Sequence, residues 1–460
     1  MKTGLLIRDR SFYAGLFSLT FPLVLQQLLR LSVDTVNSIL LGSIDQLQMT
    51  AVSQVDQVFF VYYTVCNGFA IGCCVLVAQY WGQRNMEAIR TVLATGLRAA
   101  ALFGLGFTLV VMAAPELVMR IYLKDPEALA LSASYLRKVA VMYLPCALSV
   151  MIFGGCRGVE KVRIVLVTNL ISYSVNIFLD YALLFGAFGF PRLGITGVAV
   201  GTVAARFLEL AICGAYLLKF EKRIGFRLSF LRRHDRELGR DLLRVSAPIV
   251  AHEIVWSLGT STGSMITGQL GTSVVAGYNV AMVFYNLCAS LGHGFLNACS
   301  VTISKTIGMG RRDEVKRQAQ TMILMGIGLG FLLGGITLAS RGGFLSLYRL
   351  EPEAVGYARQ FMVVLALIWP FSLVEMVGMV GILRAGGDGK TGFYSDIVIM
   401  WMICIPLAAL GAFVWKLPPV AVVAILKAII ALEALVGIWR VLGMRWIRDL
   451  TRHEEVKSAK

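Results

Sequence analysis

"NGFAIGCCVLVAQYWGQRNMEAIR", residues 67–90, decides the reading of this chain, because residues 293–316, "HGFLNACSVTISKTIGMGRRDEVK", repeat it about 226 positions later. Both stretches keep a Gly-Phe, a Cys, a Val and a Gly, and both close an apolar run with a charged turn. The same shift sets Pro22 on Pro248 and Gly42 on Gly268. A further match at nearly the same spacing pairs "YLRKVAVMYLP" with "YARQFMVVLALIWP", and Arg157 with Arg384. A self-match that recurs at one period along the chain is the mark of duplication.

The repeated unit is a membrane unit. Of 460 residues, 57% are hydrophobic and only 15% charged, far from the balance of a soluble domain. Twelve apolar segments are each long enough to cross a hydrocarbon core as helix, which takes roughly 20 residues. They cover residues 14–41, 51–80, 91–114, 131–156, 162–186, 195–218, 242–268, 275–304, 318–340, 354–383, 392–415 and 419–443. None shows the alternation of a membrane strand. The expected fold is therefore an all-α polytopic membrane protein, twelve transmembrane helices in two pseudo-symmetric six-helix bundles. Residues 1–218 form the N-terminal lobe, 219–241 a basic cytoplasmic interlobe loop, and 242–460 the C-terminal lobe with a basic tail. Because each half has an even number of spans, both face the same way, related by an axis along the membrane normal, as in transporters that work by alternating access.

The formal charge of +16 would suit a nucleic-acid partner if it were clustered on a soluble face, but it alternates between loops. Thirty of the 43 Lys and Arg fall at the termini and the loops after even-numbered spans; the opposite loops hold six. By the positive-inside rule this bias places both termini in the cytoplasm and leaves the lipid bilayer, not nucleic acid, as the partner. The opening "MKTGLLIRDR" is polar and runs on into a full span, so no cleavable signal peptide is expected. All nine Cys lie in or beside apolar segments without metal-ligand spacing, so they read as packing residues. No "GxxxxGK[ST]" phosphate loop is present, and His234, His252, His293 and His453 form no ligand cluster. No enzyme and no cofactor is expected.

Ionisable groups at membrane depth cost a few kcal/mol each, about 3 on insertion scales, so each calls for a functional reading. The candidates are Asp34, Asp56, Asp180, Glu209, Glu253, Glu375 and Glu433. Arg206 with Glu209, and Lys427 with Glu433, lie close along their helices and can neutralise one another. Asp56 sits near a helix start, within reach of headgroup water. Asn176 and Asp180 are spaced i, i+4, on one face of a helix. With Asp34 and Thr202 they offer an oxygen set that suits Na⁺, a carboxylate pair that takes up a proton, or a structural hydrogen-bond network. The second half does not duplicate it: Thr260, Ile403 and Leu407 stand where Asp34, Asn176 and Asp180 would repeat. That half carries Glu253, aligned with Gln27, and Glu375 instead. These three, with Tyr278 and Asn279, are candidate substrate contacts, the acids attracting cations and the aromatics supplying apolar contact. Alternatively, Glu253 pairs with His252 or a distant Arg.

In order and spacing, "FPLVLQQLLRLSVDTVNSILLG" with "AVSQVDQVFF", "VAQYWGQRN", "NIFLDYALLFGAFGFPRLGITGVAVGT" and "LRAGGDGK" resemble the multidrug and toxic compound extrusion (MATE) transporters over essentially the whole length. The resemblance implies a monomer in the bacterial inner membrane that exports small organic, often cationic, compounds against inward Na⁺ or H⁺. It carries the N-lobe cation site onto Asp34, Asn176, Asp180 and Thr202, and an acidic C-lobe position onto Glu253. Arg30 is outside the family pattern; one turn before Asp34, it is placed to pair with that aspartate when the site is empty. Two rival readings are a flippase for a lipid-linked precursor, whose anionic substrate would call for a basic cavity, and a sensor that has lost transport.

Overall fold

A computed structural model describes residues 6–42, 45–233 and 235–452, and among these residues twelve long helices form the frame. They are α1 (Arg10–Gly42), α2 (Gln46–Gly82), α3 (Met86–Ala113), α4 (Pro126–Gly158), α5 (Val162–Phe185), α6 (Ile195–Phe220), α7 (Arg236–Gly268), α8 (Thr272–Gly308), α9 (Arg312–Leu345), α10 (Pro352–Leu383), α11 (Gly389–Val414) and α12 (Pro419–Leu442). His234 and His453, with the rest of the tail from 453, lie outside the described residues. Helix is the outcome that hydrocarbon dictates, since it satisfies every backbone group within the segment. Where a helix begins in a polar turn, a side chain takes the orphan amides: Asp45 accepts from Leu47, Asn85 from Ala88 and Asp125 from Ala128.

Among the described residues, eleven of the twelve are long and apolar enough to cross a membrane. The exception is α7, which realises the expected span 242–268 and has length to spare with 33 residues. Its sequence opens on "RELGRDLLR" and carries His252, Glu253 and "GTSTGS" along its length. Polarity, not length, sets it apart.

The helices divide into two units. One comprises residues 25–250; the other joins residues 1–24 to 251–460. Thus α1 leaves one unit for the other two residues after Pro22, and α7 does so two residues after Pro248, the prolines that the repeat superimposes. Each proline removes one ladder hydrogen bond. In the 25–250 unit, a Cβ on Gly68 would stand 2.7 Å from Val250, and one on Gly72 2.9 Å from the Ser246 backbone. In the other, a Cβ on Gly294 would stand 2.7 Å from the Val24 amide nitrogen. Gly68 and Gly294 are themselves repeat-equivalent, so each half's second helix uses one glycine to seat the start of the other half's first helix. Small residues let membrane helices approach where no hydrophobic force separates lipid from side chain. All nine cysteines are buried and free, as expected of packing residues.

The basic loop after α6 is folded against the start of α3 within its own unit. Arg90 donates to the Ile224 carbonyl and lies over the Phe230 ring, while Arg233 pairs with Glu87 at 2.8 Å.

Candidate functional site

In the 25–250 unit, α5 presents Asn176 and Asp180 as the spacing requires, with Asn176 Nδ2 donating to Asp180 Oδ2 at 3.0 Å. Asp180 is 2% exposed, and its Oδ1 has no hydrogen-bond partner. That oxygen lies against Gly201 of α6, where any side chain would collide with it. Thr202, half-buried, follows directly. The approach of α5 to α6 is fixed by Ser172, which donates to the Ala205 carbonyl at 2.9 Å. A buried carboxylate oxygen left unpaired costs free energy unless a cation or proton satisfies it, so the arrangement fits a cation-binding role.

Asp34 is exposed on α1 and feels the field of Arg30 and Arg206. The structure adds Asp56 of α2, which lies within electrostatic reach of both Asp34 and Asp180. Asp56 stands ten residues into α2, which starts at Gln46, and its side chain is exposed. The quoted stretch "AVSQVDQVFF" already contained it. Arg30 corrects an expectation. Its guanidinium sits 4.7 Å from the Tyr63 ring centroid and makes no contact-distance ion pair with Asp34 among the described residues. Arg206 does pair with Glu209, at 2.8 Å, and also covers Phe59.

In the other unit, Glu253 is ion-paired to Arg384 at 2.8 Å, a distant arginine brought in from the end of α10. Glu375 is half-buried, where α10 passes into the wider turns of a π-helix over Met376–Leu383, and faces Asp396, Arg384 and Glu253. Tyr278 packs edge-on to Phe361, Asn279 is exposed, and Gln27, in the first unit, is half-buried. The neutralisation expected between Lys427 and Glu433 does not form. Six residues apart, they fall on different faces of α12: Lys427 lies over Tyr285 at 5.3 Å, and Glu433 turns to Asp396. Asp396 escaped notice in the sequence because it falls at the start of its apolar run. The rule that singled out Asp34 would have found it.

Among the described residues, no three His, Cys, Asp or Glu side chains are grouped closely enough to hold a metal ion. Similar proteins include the "probable multidrug resistance protein NorM" of Agrobacterium fabrum, 26% identical over 413 residues, 88% of each chain. The "multidrug resistance protein MdtK" of Yersinia enterocolitica is 23% identical over 85% of this chain and 86% of its own. Among solved structures, a MATE in complex with MaL6 superposes with a TM-score of 0.85 at 16% identity, covering 94% of this chain and 96% of that one. A MOP superfamily transporter from Pyrococcus furiosus gives 0.83 at 17%, with the same coverage. The model of the MatE family matches residues 22–182 and 248–410, most of both repeats, and the chain belongs to that family, whose members are transporters rather than enzymes.

Proposed function

We propose that this protein is a secondary active efflux transporter of the bacterial inner membrane. It exports amphiphilic, often cationic, small molecules by alternating access in exchange for Na⁺ or H⁺, as a monomer with both termini in the cytoplasm. The observation that carries the reading is the Asp180 carboxylate, buried, held by Asn176 and with one oxygen free beside Gly201. Asp34, Asn176, Asp180 and Thr202 are the proposed coupling set, joined by Asp56. Glu375, Glu253, Gln27, Tyr278 and Asn279 are the proposed substrate contacts. The multidrug resistance names of the relatives support the substrate class, and the resemblance to MATE folds supports the mechanism class.

A cationic dye loaded into proteoliposomes, followed at fixed pH with and without a sodium gradient, tests the reading. Export that needs one of the two gradients is the expected result. The absence of dye movement under either gradient would sink it. One observation favours the flippase alternative: Arg30 has an aromatic but no carboxylate contact, as suits an anionic headgroup. Movement of a lipid-linked anion without dye export would select that alternative.

A further inference from the structure

The C-terminal unit carries a groove that neither the coupling set nor the proposed substrate contacts enter. It has a volume of about 350 Å³ and runs between the start of α11 and the end of α12. Thr391, Ser395, Val398 and Ile399 line it from α11, and Val436, Trp439 and Arg440 from α12. Both sets follow the i, i+3, i+4 spacing of one helix face. Room is left at the open end because Thr391 and Ser395 are small. Deeper in, the two helices close on each other through Ile399, Met400 and Ile429.

The groove is graded in polarity. One helix enters the bilayer where the other leaves it, so Thr391 and Arg440 share an end, and Val398, Ile399 and Val436 lie about one to two turns further in. Tyr394 and Trp439 line the same groove and are both exposed, as amphipathic rings are where hydrocarbon meets headgroups. Ser32 and Thr35 show the usual habit of a helix hydroxyl, donating to the carbonyl four residues back. The Thr391 and Ser395 hydroxyls donate to nothing among the described residues, so both remain available to an acceptor in the groove.

Arg440 is positioned by the chain. Its Nε donates to Asp388 Oδ2 at 2.7 Å, and Asp388 is buried at the turn between α10 and α11. The segment after α12 clasps that turn. A Cβ on Gly386 would stand 2.6 Å from the Trp446 carbonyl oxygen, and one on Gly387 2.8 Å from Leu450. Trp446 itself is fully buried. Asp388 offsets one positive charge, while Lys390 just before Thr391 and Arg445 just after α12 are both exposed and add two more. A guanidinium fork matches the oxygens of a phosphate, and basic pockets between membrane helices take up acidic headgroups. The apolar depth of the groove distinguishes a lipid from a free phosphate.

We propose that this groove binds one anionic glycerophospholipid. The lipid phosphate meets Arg440 and accepts from the Thr391 and Ser395 hydroxyls, and an acyl chain lies along Val398, Ile399 and Val436. The assignment requires only that α11 and α12 cross a bilayer, so a chain that fails the dye test can still pass this one.

The test uses the full-length protein in vesicles, with Trp439 as reporter: the part of the tryptophan fluorescence that Trp439→Phe removes. Brominated phosphatidylglycerol diluted into phosphatidylcholine should quench that part at about a tenfold lower mole fraction than brominated phosphatidylcholine diluted into phosphatidylglycerol, the effect of about one charge-assisted hydrogen bond. Equal fractions would mean general contact with the bilayer and overturn the proposal. Arg440→Gln, and Thr391→Val combined with Ser395→Ala, should each bring the two fractions together; a preference kept in both overturns it. If Arg440→Gln does not fold, Val436→Phe fills the groove without touching its charge. Loss of the preference there supports the site, and an unchanged preference overturns it. Leu332→Phe, on an exposed position of α9 outside the groove, should leave the preference as in the wild type; its loss there as well would overturn the assignment to this groove.

Discussion

The two units are built on one duplicated scaffold, yet the acid singled out in each candidate site meets an opposite kind of partner. In the 25–250 unit, Asp180 has a neutral amide for a partner and one oxygen free. In the other, Glu253 is matched by a guanidinium at 2.8 Å, as Glu209 is by Arg206 within the first. The lesson is that duplication preserved the helix frame and its glycine seats while the charges diverged. An acid with a permanent cation is held; one beside an amide is available to an exchangeable ion.

That contrast can be broken experimentally. The largest effect is expected from Arg384→Leu, which strands Glu253 without its cation and should cost about 3–5 kcal/mol of stability in detergent unfolding. Adding Glu253→Gln should recover much of it. A single variant that melts like the wild type would mean that the pair does not hold the unit.

Next come the seats that the two halves share. Gly68→Ala and Gly294→Ala each force a methyl to within 2.7 Å of a facing residue and should each cost about 1–3 kcal/mol, the range for overpacking. Gly214→Ala, which meets open space, should be neutral in thermal melting. Markedly unequal costs for Gly68 and Gly294 would show that the frames have diverged along with the charges.

Asp180→Asn should weaken the apparent affinity for the coupling ion by about 10–100-fold, the usual effect of altering an ion site, with little loss of stability. Gly201→Ala, which displaces the same carboxylate without changing its charge, should move that affinity in the same direction and less far. Ion dependence of transport unchanged in both would remove Asp180 from the coupling set. The smallest change is expected at Tyr63→Leu, which removes the ring beneath Arg30 and should cost about 0.5–1 kcal/mol. A large loss of ion affinity there would mean that Arg30 governs Asp34 through its perch.

The chain's own sequence determined the frame. Twelve apolar segments, the repeat near 226 residues, the i, i+4 step from Asn176 to Asp180 and the i, i+3 step from Arg206 to Glu209 are all local or periodic facts. Helix geometry converts them directly into spans, duplication and neighbouring side chains. Tertiary structure alone decided which charges meet. The pairing of Glu253 with Arg384, the turn of Glu433 toward Asp396 instead of Lys427, the approach of Asp56 to Asp34 and Asp180 and the perch of Arg30 on Tyr63 all depend on the rotation and start point of separate helices. Nothing in one segment's spacing encodes the phase of another. Where an acid ends up beside an arginine, an amide or a second acid is therefore settled by how glycine seats and wide helical turns set one helix against the next.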